Sequence, residues 1–108
     1  MQTTYVAEAF DRAAVERHKG LQVLEFGTQW CGHCQAAQAL LAPVFSEYPH
    51  VEHHKIEDGP GRPLGRSFRV KLWPTLVLLR DGVEVARLVR PVNASLIEEA
   101  FEQLAGEG

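Results

Sequence analysis

Two rhythms of apolar and polar residues run along this chain. After Cys34, the residues Ala37, Leu40, Leu41, Val44, Phe45 and Tyr48 recur at spacings of three and four, with Gln35, Gln38, Ser46 and Glu47 opposite. That is the stripe of an amphipathic helix. Pro43 lies inside it, removes one backbone hydrogen bond and predicts a kink. Residues 21–27 are instead nearly all apolar, as a strand covered on both faces is, with Glu25 as the one charge. Residues 75–79 form a second apolar run. Asp81-Gly82 then predicts a tight hairpin turn, with residues 83–89 as the returning strand.

Weaker signals fill the gaps. Residues 7–19 carry a helical pattern, with Phe10, Ala13 and Ala14 on one side and Gly20 as a stop. Residues 51–57 read as a strand, 58–62 as a loop, and Pro63 suits the first turn of a short helix to about Phe68. A last helix, capped by Asn93 or by Ser95 with Glu98, buries Leu96, Ile97, Ala100, Phe101 and Leu104 and ends at Gly106. This order predicts an α/β fold. A parallel strand pair joined by a crossover helix and an antiparallel hairpin form a central mixed β-sheet, with helices on both faces.

At 108 residues the chain reads as a single domain, 1–108, large enough for a core without staples. With 45% hydrophobic and 23% charged residues it has an ordinary globular composition. A formal net charge of −3 gives no reason to expect nucleic acid as a partner. No apolar run approaches the length that spans a membrane, and the first fourteen residues lack the apolar region of a secretory signal. The expectation is therefore a cytoplasmic monomer.

Composition changes the picture at one point. The only two cysteines, Cys31 and Cys34, sit two residues apart in Trp30-Cys31-Gly32-His33-Cys34, where the first strand ends and the long helix begins. At i and i+3 of a first helical turn they face one side, close enough to bond. The helix dipole favours a thiolate at Cys31. A Cys-x-x-Cys in that setting, with no other cysteine, reads as a redox pair. Cys31 is the attacking nucleophile and Cys34, one turn deeper, resolves the mixed disulfide. His33 lies between them and is expected to favour the thiolate and make the pair more oxidising. Glu25 is costly in a central strand, which points to function. Without a full partner its pKa would be raised, and replacing it by glutamine would stabilise the fold.

These residues, with Trp73-Pro74-Thr75 far downstream, resemble the thioredoxin superfamily from about Leu21 to Leu104. The Cys-Gly-His-Cys run is similar to that of protein disulfide isomerases, whereas thioredoxins usually carry proline in place of His33. The resemblance implies a thiol-disulfide oxidoreductase that needs no cofactor, acts on protein disulfides and draws on an electron donor such as a reductase. It implies a cis bond before Pro74, and a substrate strand that pairs with the backbone of Trp73. Trp30 and Trp73 would rim the site as a flat apolar platform, and Gly32, Pro74, Thr75 and Arg90 would complete the substrate-binding surface. Glu25 stands where the family usually has an aspartate that exchanges a proton with the second cysteine. Lys55 stands where a lysine pairs with that acid, although Glu57 could be its partner. The family's kinking proline lies about one turn nearer the second cysteine than Pro43 does.

Two other readings compete. One is a disulfide isomerase or oxidase, supported by His33. The other is a redox-inactive zinc-binding or partner-binding module. Cys31, Cys34, His50 and His54 satisfy a zinc-finger spacing, but with cysteines opening a helix and histidines beginning a strand the order of elements is reversed. No metal is expected, and His50, His53 and His54 are read as solvent-facing.

Overall fold

A computed structural model describes residues 3–7 and 11–106. The apolar run of β1 (Leu21–Gly27) becomes an inner strand of the sheet that the described residues form. It pairs in parallel with β2 (Glu52–Glu57) and antiparallel with β3 (Thr75–Arg80), which in turn pairs antiparallel with β4 (Val83–Val89). The spatial order is β2-β1-β3-β4. The crossover from β1 to β2 is α2 (Gly32–Glu47), and Pro43 lies within it.

Alternation along β1 and β3 divides the core between two faces. Val23, Leu76 and Leu78 point to the face covered by α2 and by α4 (Ala94–Ala105), where they meet Leu41, Phe45, Ile97 and Phe101. Leu24, Phe26, Val77 and Leu79 point to the other face, covered by Val15 of α1 (Arg12–Arg17) and by Leu64 of α3 (Pro63–Ser67), with Phe68 beside it. Glu25 shares a face with Val23 and so looks at α2. Among the described residues no helix is long and apolar enough to cross a membrane.

Several local expectations change. The first helix is shorter than its pattern suggests, because Asp11 caps it by accepting from the Ala14 N–H at 3.0 Å. Its buried residue is Val15; Ala13 is exposed and Ala14 half-buried, and Phe10 lies outside the described residues. Among the described residues ahead of it, Val6 makes a parallel bridge to Ile56 at the edge of β2. In α4 the cap is Asn93, which accepts from the Leu96 N–H, and Leu96 itself is exposed rather than core.

The β3–β4 turn has positive φ at both Asp81 (52°) and Gly82 (81°), the pattern of a type I′ hairpin. Asp81 also accepts from the Gly20 N–H at 2.8 Å, which ties the hairpin to the entry of β1. A Cβ on Gly82 would strike the backbone carbonyl of Glu16. Gly82→Ala therefore meets both the left-handed backbone cost and a clash with α1. It is expected to lower stability by about 2 kcal/mol, read as a reduced denaturation midpoint at an unchanged m-value.

Candidate functional site

The dithiol forms where β1 runs into α2. Cys31 is the N-cap of α2, and its Sγ accepts from the Cys34 backbone N–H at 3.1 Å. That bond satisfies one of the helix's orphan donors. Cys34 is buried and, contrary to a simple exposed-first picture, Cys31 is only 7% exposed. Trp73 and Tyr5 pack against the pair. The Cys34 thiol is pushed up to about 11 by burial first, then by its hydrogen bond to Cys31, so it rests protonated.

The residues around the pair separate into open and closed groups. Gly32 and His33 are exposed. Trp30 is exposed and meets Trp73 edge-on, with ring centroids 5.7 Å apart at 75°, so the two indoles form a corner rather than a flat platform. The Trp73 indole N–H donates to Asp58 Oδ2 at 2.9 Å. The Trp73–Pro74 peptide bond is cis. Thr75 is buried with its hydroxyl donating to the Leu72 carbonyl, so it shapes the loop and presents no side chain to a ligand. Arg90, at φ 47°, donates through Nε to the Trp73 carbonyl at 2.8 Å, and its N–H donates to the Pro74 carbonyl. It braces the loop and lines a groove of about 330 Å³ with His33, Leu40 and Val92.

Beneath the dithiol lies a polar network. His53 is buried, not solvent-facing, because it neighbours the central strand in parallel register and its ring stacks on Phe45 at 4.0 Å. Its Nε2 lies 2.8 Å from Glu25 Oε1. With the imidazole neutral, Nε2–H is the donor, since a carboxylate only accepts. Glu25 Oε2 accepts from the Tyr5 hydroxyl at 2.7 Å and from the Gln38 amide at 2.9 Å. Lys55 pairs with neither Glu25 nor Glu57. Its ammonium donates to Gln38 Oε1 at 3.0 Å and sits 4.4 Å from the centre of the Tyr5 ring. Glu57 accepts from Arg62 instead.

Glu25 is therefore fully partnered, which reverses the expectation that burial would raise it. Burial does push its carboxyl up, but the hydrogen bond from His53, its attraction once His53 is protonated, and the bonds from Gln38 and Tyr5 outweigh burial and hold it below its usual 4.5. Burial likewise drives His53 below its usual 6.5, against the pull of Glu25. The Tyr5 hydroxyl is raised by burial and then by Glu25, with the nearby Cys34 adding to the rise. A Cβ on Gly27 would come within 2.5 Å of Cys34 Sγ and 2.7 Å of the Tyr5 oxygen, so thiol and phenol meet over a glycine. Among the described residues no group of three or more His, Cys, Asp and Glu could hold a metal ion.

Tyr5, Gln38 and His53 went unseen in the sequence. Tyr5 sits in no recognisable element, and Gln38 reads as the polar side of a helix. His53 carried a faint signal: His53 and Lys55 alternate on a strand that must pair with the one holding Glu25.

Comparison with known proteins agrees with this geometry. Residues 2–103 match the thioredoxin family model. Thioredoxin from Chlamydia pneumoniae is 37% identical over 70 residues, which is 65% of this chain and 69% of that protein. Thioredoxin-1 from Saccharomyces cerevisiae is 30% identical over 95 residues, 88% of this chain and 89% of that one. The solved reduced form of thioredoxin 2 from Pseudomonas aeruginosa is 68% identical and superposes over 100% of both chains with a TM-score of 0.88.

The buried acid makes the fold acid-labile. Because folded Glu25 lies below 4.5, the unfolded chain takes up this proton first. Its stabilisation is complete above about pH 4.5 and is lost as pH falls through the lower folded value. His53, also lowered, acts in the same direction below its usual 6.5. Glu25→Gln replaces the charge-assisted bonds to Tyr5, Gln38 and His53 by weaker neutral ones. Denaturation at pH 7 is expected to show a loss of about 2 kcal/mol. The variant should also lose less stability than the parent between pH 7 and pH 4, and a stabilised variant at pH 7 would contradict the network.

Proposed function

The chain belongs to the thioredoxin family, and we propose a division of labour within its dithiol in which Tyr5 and Glu25 serve the second step. It is a thiol-disulfide oxidoreductase with a Cys-x-x-Cys pair. In our reading Cys31 attacks one sulfur of a protein disulfide. That sulfur joins Cys31 in a mixed disulfide, and the other leaves as a thiolate. Cys34, protonated at rest, stays silent meanwhile. Once Cys31 is tied up in the mixed disulfide, its hydrogen bond no longer opposes ionisation of Cys34. The Cys34 proton then moves toward the Tyr5 oxygen as the Tyr5 proton moves toward Glu25. The Cys34 sulfur displaces the substrate from Cys31, leaving oxidised Cys31–Cys34 and a substrate reduced by two electrons.

The observation that carries this reading is the Tyr5 hydroxyl, which donates to Glu25 Oε2 at 2.7 Å while Tyr5 packs in one cluster with Cys34. A hydroxyl can accept with its oxygen while it donates its proton, so it bridges a thiol and a carboxylate without ionising. The raised Tyr5 pKa fits that role. Tyr5 and Glu25 act on the proton, Gln38 and His53 orient Glu25, and His33 favours the Cys31 thiolate. Trp30, Gly32, Trp73, Pro74 and Arg90 frame the surface that receives substrate. A reductase of the host restores the dithiol, and the protein works as a cytoplasmic monomer.

Cys34→Ser is expected to accumulate a mixed disulfide with a protein substrate, visible on a non-reducing gel, and Cys31→Ser to accumulate none. Tyr5→Phe should slow resolution by about tenfold or more while attack by Cys31 changes little, followed by stopped-flow tryptophan fluorescence. Unchanged resolution would reduce Tyr5 to a structural role. His33→Pro should make the reduction potential more negative, measured against glutathione, because a group that favours the reduced thiolate is gone.

A further inference from the structure

A second groove, of about 480 Å³, is lined by Asp58, Arg62, Arg66, Arg69, Lys71 and Trp73. Four cations face one carboxylate there, in a chain whose formal net charge is −3. The carboxylate is engaged: Asp58 Oδ2 holds the Trp73 indole N–H. Arg62 shares its charge with Glu57 at 3.3 Å. Arg66, Arg69 and Lys71 are exposed and make no ion pair among the described residues. Like charges gathered this way repel one another and leave a local positive field on an acidic protein.

The backbone holds this arrangement at a cost. Arg69 has φ 59°, a left-handed conformation that an arginine side chain disfavours, fixed by N–H bonds from Arg69 to the Arg66 carbonyl at 2.9 Å and from Val70 to the Gly65 carbonyl at 3.0 Å. Glycine would suit that position better on conformational grounds.

We propose that this groove docks an acidic segment of the protein whose disulfide is reduced, alongside the dithiol. The inference rests on the oxidoreductase reading and specifies its substrate class. Trp73 is the link, because one indole packs against Cys31 and Cys34 and also walls the groove. A chain lying in the groove therefore shares one wall, Trp73, with the dithiol cluster. The negative charge of the protein as a whole disfavours nucleic acid as the occupant. Charges of this exposed kind act mainly on association and are screened by salt, so the preference belongs in kcat/KM and fades at high ionic strength.

The test uses matched peptides with one disulfide flanked on either side by three Glu, three Gln or three Lys residues. At low salt the ratio of kcat/KM for Glu-flanked over Lys-flanked peptide is expected to be about tenfold, falling below about twofold at half-molar salt. Arg69→Gly removes a cation and relieves the left-handed backbone. Its denaturation midpoint should hold or rise while the ratio falls about threefold, and Arg69→Lys should keep the ratio. Arg66→Gln combined with Arg69→Gly should bring the ratio close to one. A parental ratio near one at low salt, or a ratio unmoved by these variants, overturns the proposal. Turnover of the Gln-flanked peptide separately checks the oxidoreductase reading. Should that fail, anisotropy of labelled, cysteine-free Glu-flanked and Lys-flanked peptides decides the docking directly, and equal affinities for the two overturn it.

Discussion

The burial of one carboxylate in the middle of the sheet governs the rest of this site. Glu25 has no exposed surface, so its charge is tolerable only with donors on every side. Three elements supply them: Tyr5 from the segment before α1, Gln38 from the helix that carries the cysteines, and His53 from the neighbouring strand. Each donor is itself held, His53 by stacking on Phe45 and Gln38 by the Cys34 carbonyl and Lys55. The acid therefore staples the N-terminal segment, α2 and β2 to β1. Losing any donor would leave a buried charge partly unpaired, which costs more than the bond itself contributes.

That staple also sets the chemistry above it. Because Tyr5 is drawn inward to Glu25, its hydroxyl arrives over Gly27 beside the Cys34 sulfur. The two thiols of one motif thereby occupy different environments. Cys31 faces the backbone N–H at a helix start, and Cys34 faces a phenol backed by a carboxylate. A sulfur that accepts a helix N–H and a sulfur held as a thiol suit successive steps of one exchange. Trp73 carries this polarity outward. Its carbonyl is braced by Arg90, its indole by Asp58, and beyond it the surface turns basic.

Much of this was legible along the chain, and for a physical reason. The strands of β1 and β3, the stripe of α2, the Asp81-Gly82 turn and the helix that opens on the cysteines all arise from local periodicity and local backbone preference. These read the same in any fold that buries one face. The dithiol was legible because both partners lie within one helical turn. Errors came where a residue's fate depended on a neighbour distant in sequence. The start of α1 is the exception, set locally by the N-cap at Asp11. His53 was placed in solvent because a histidine at a strand start is polar by type, and only pairing with β1 turns it inward.

Sequence alone settled that this chain would fold as a mixed sheet with a redox pair at a strand-to-helix junction, since those features are written in spacings of a few residues. It also marked Glu25 as anomalous, because a charge in an apolar run is visible without coordinates. What the anomaly meant was decided only by tertiary structure. Whether burial raises or lowers a carboxyl pKa depends on how many donors reach it, and these come from residues 20 positions before and 13 and 28 positions after Glu25. The basic groove divides the same way: Arg62, Arg66, Arg69 and Lys71 are gathered within residues 62–71 of the sequence, but only the fold sets that cluster beside Asp58 and Trp73.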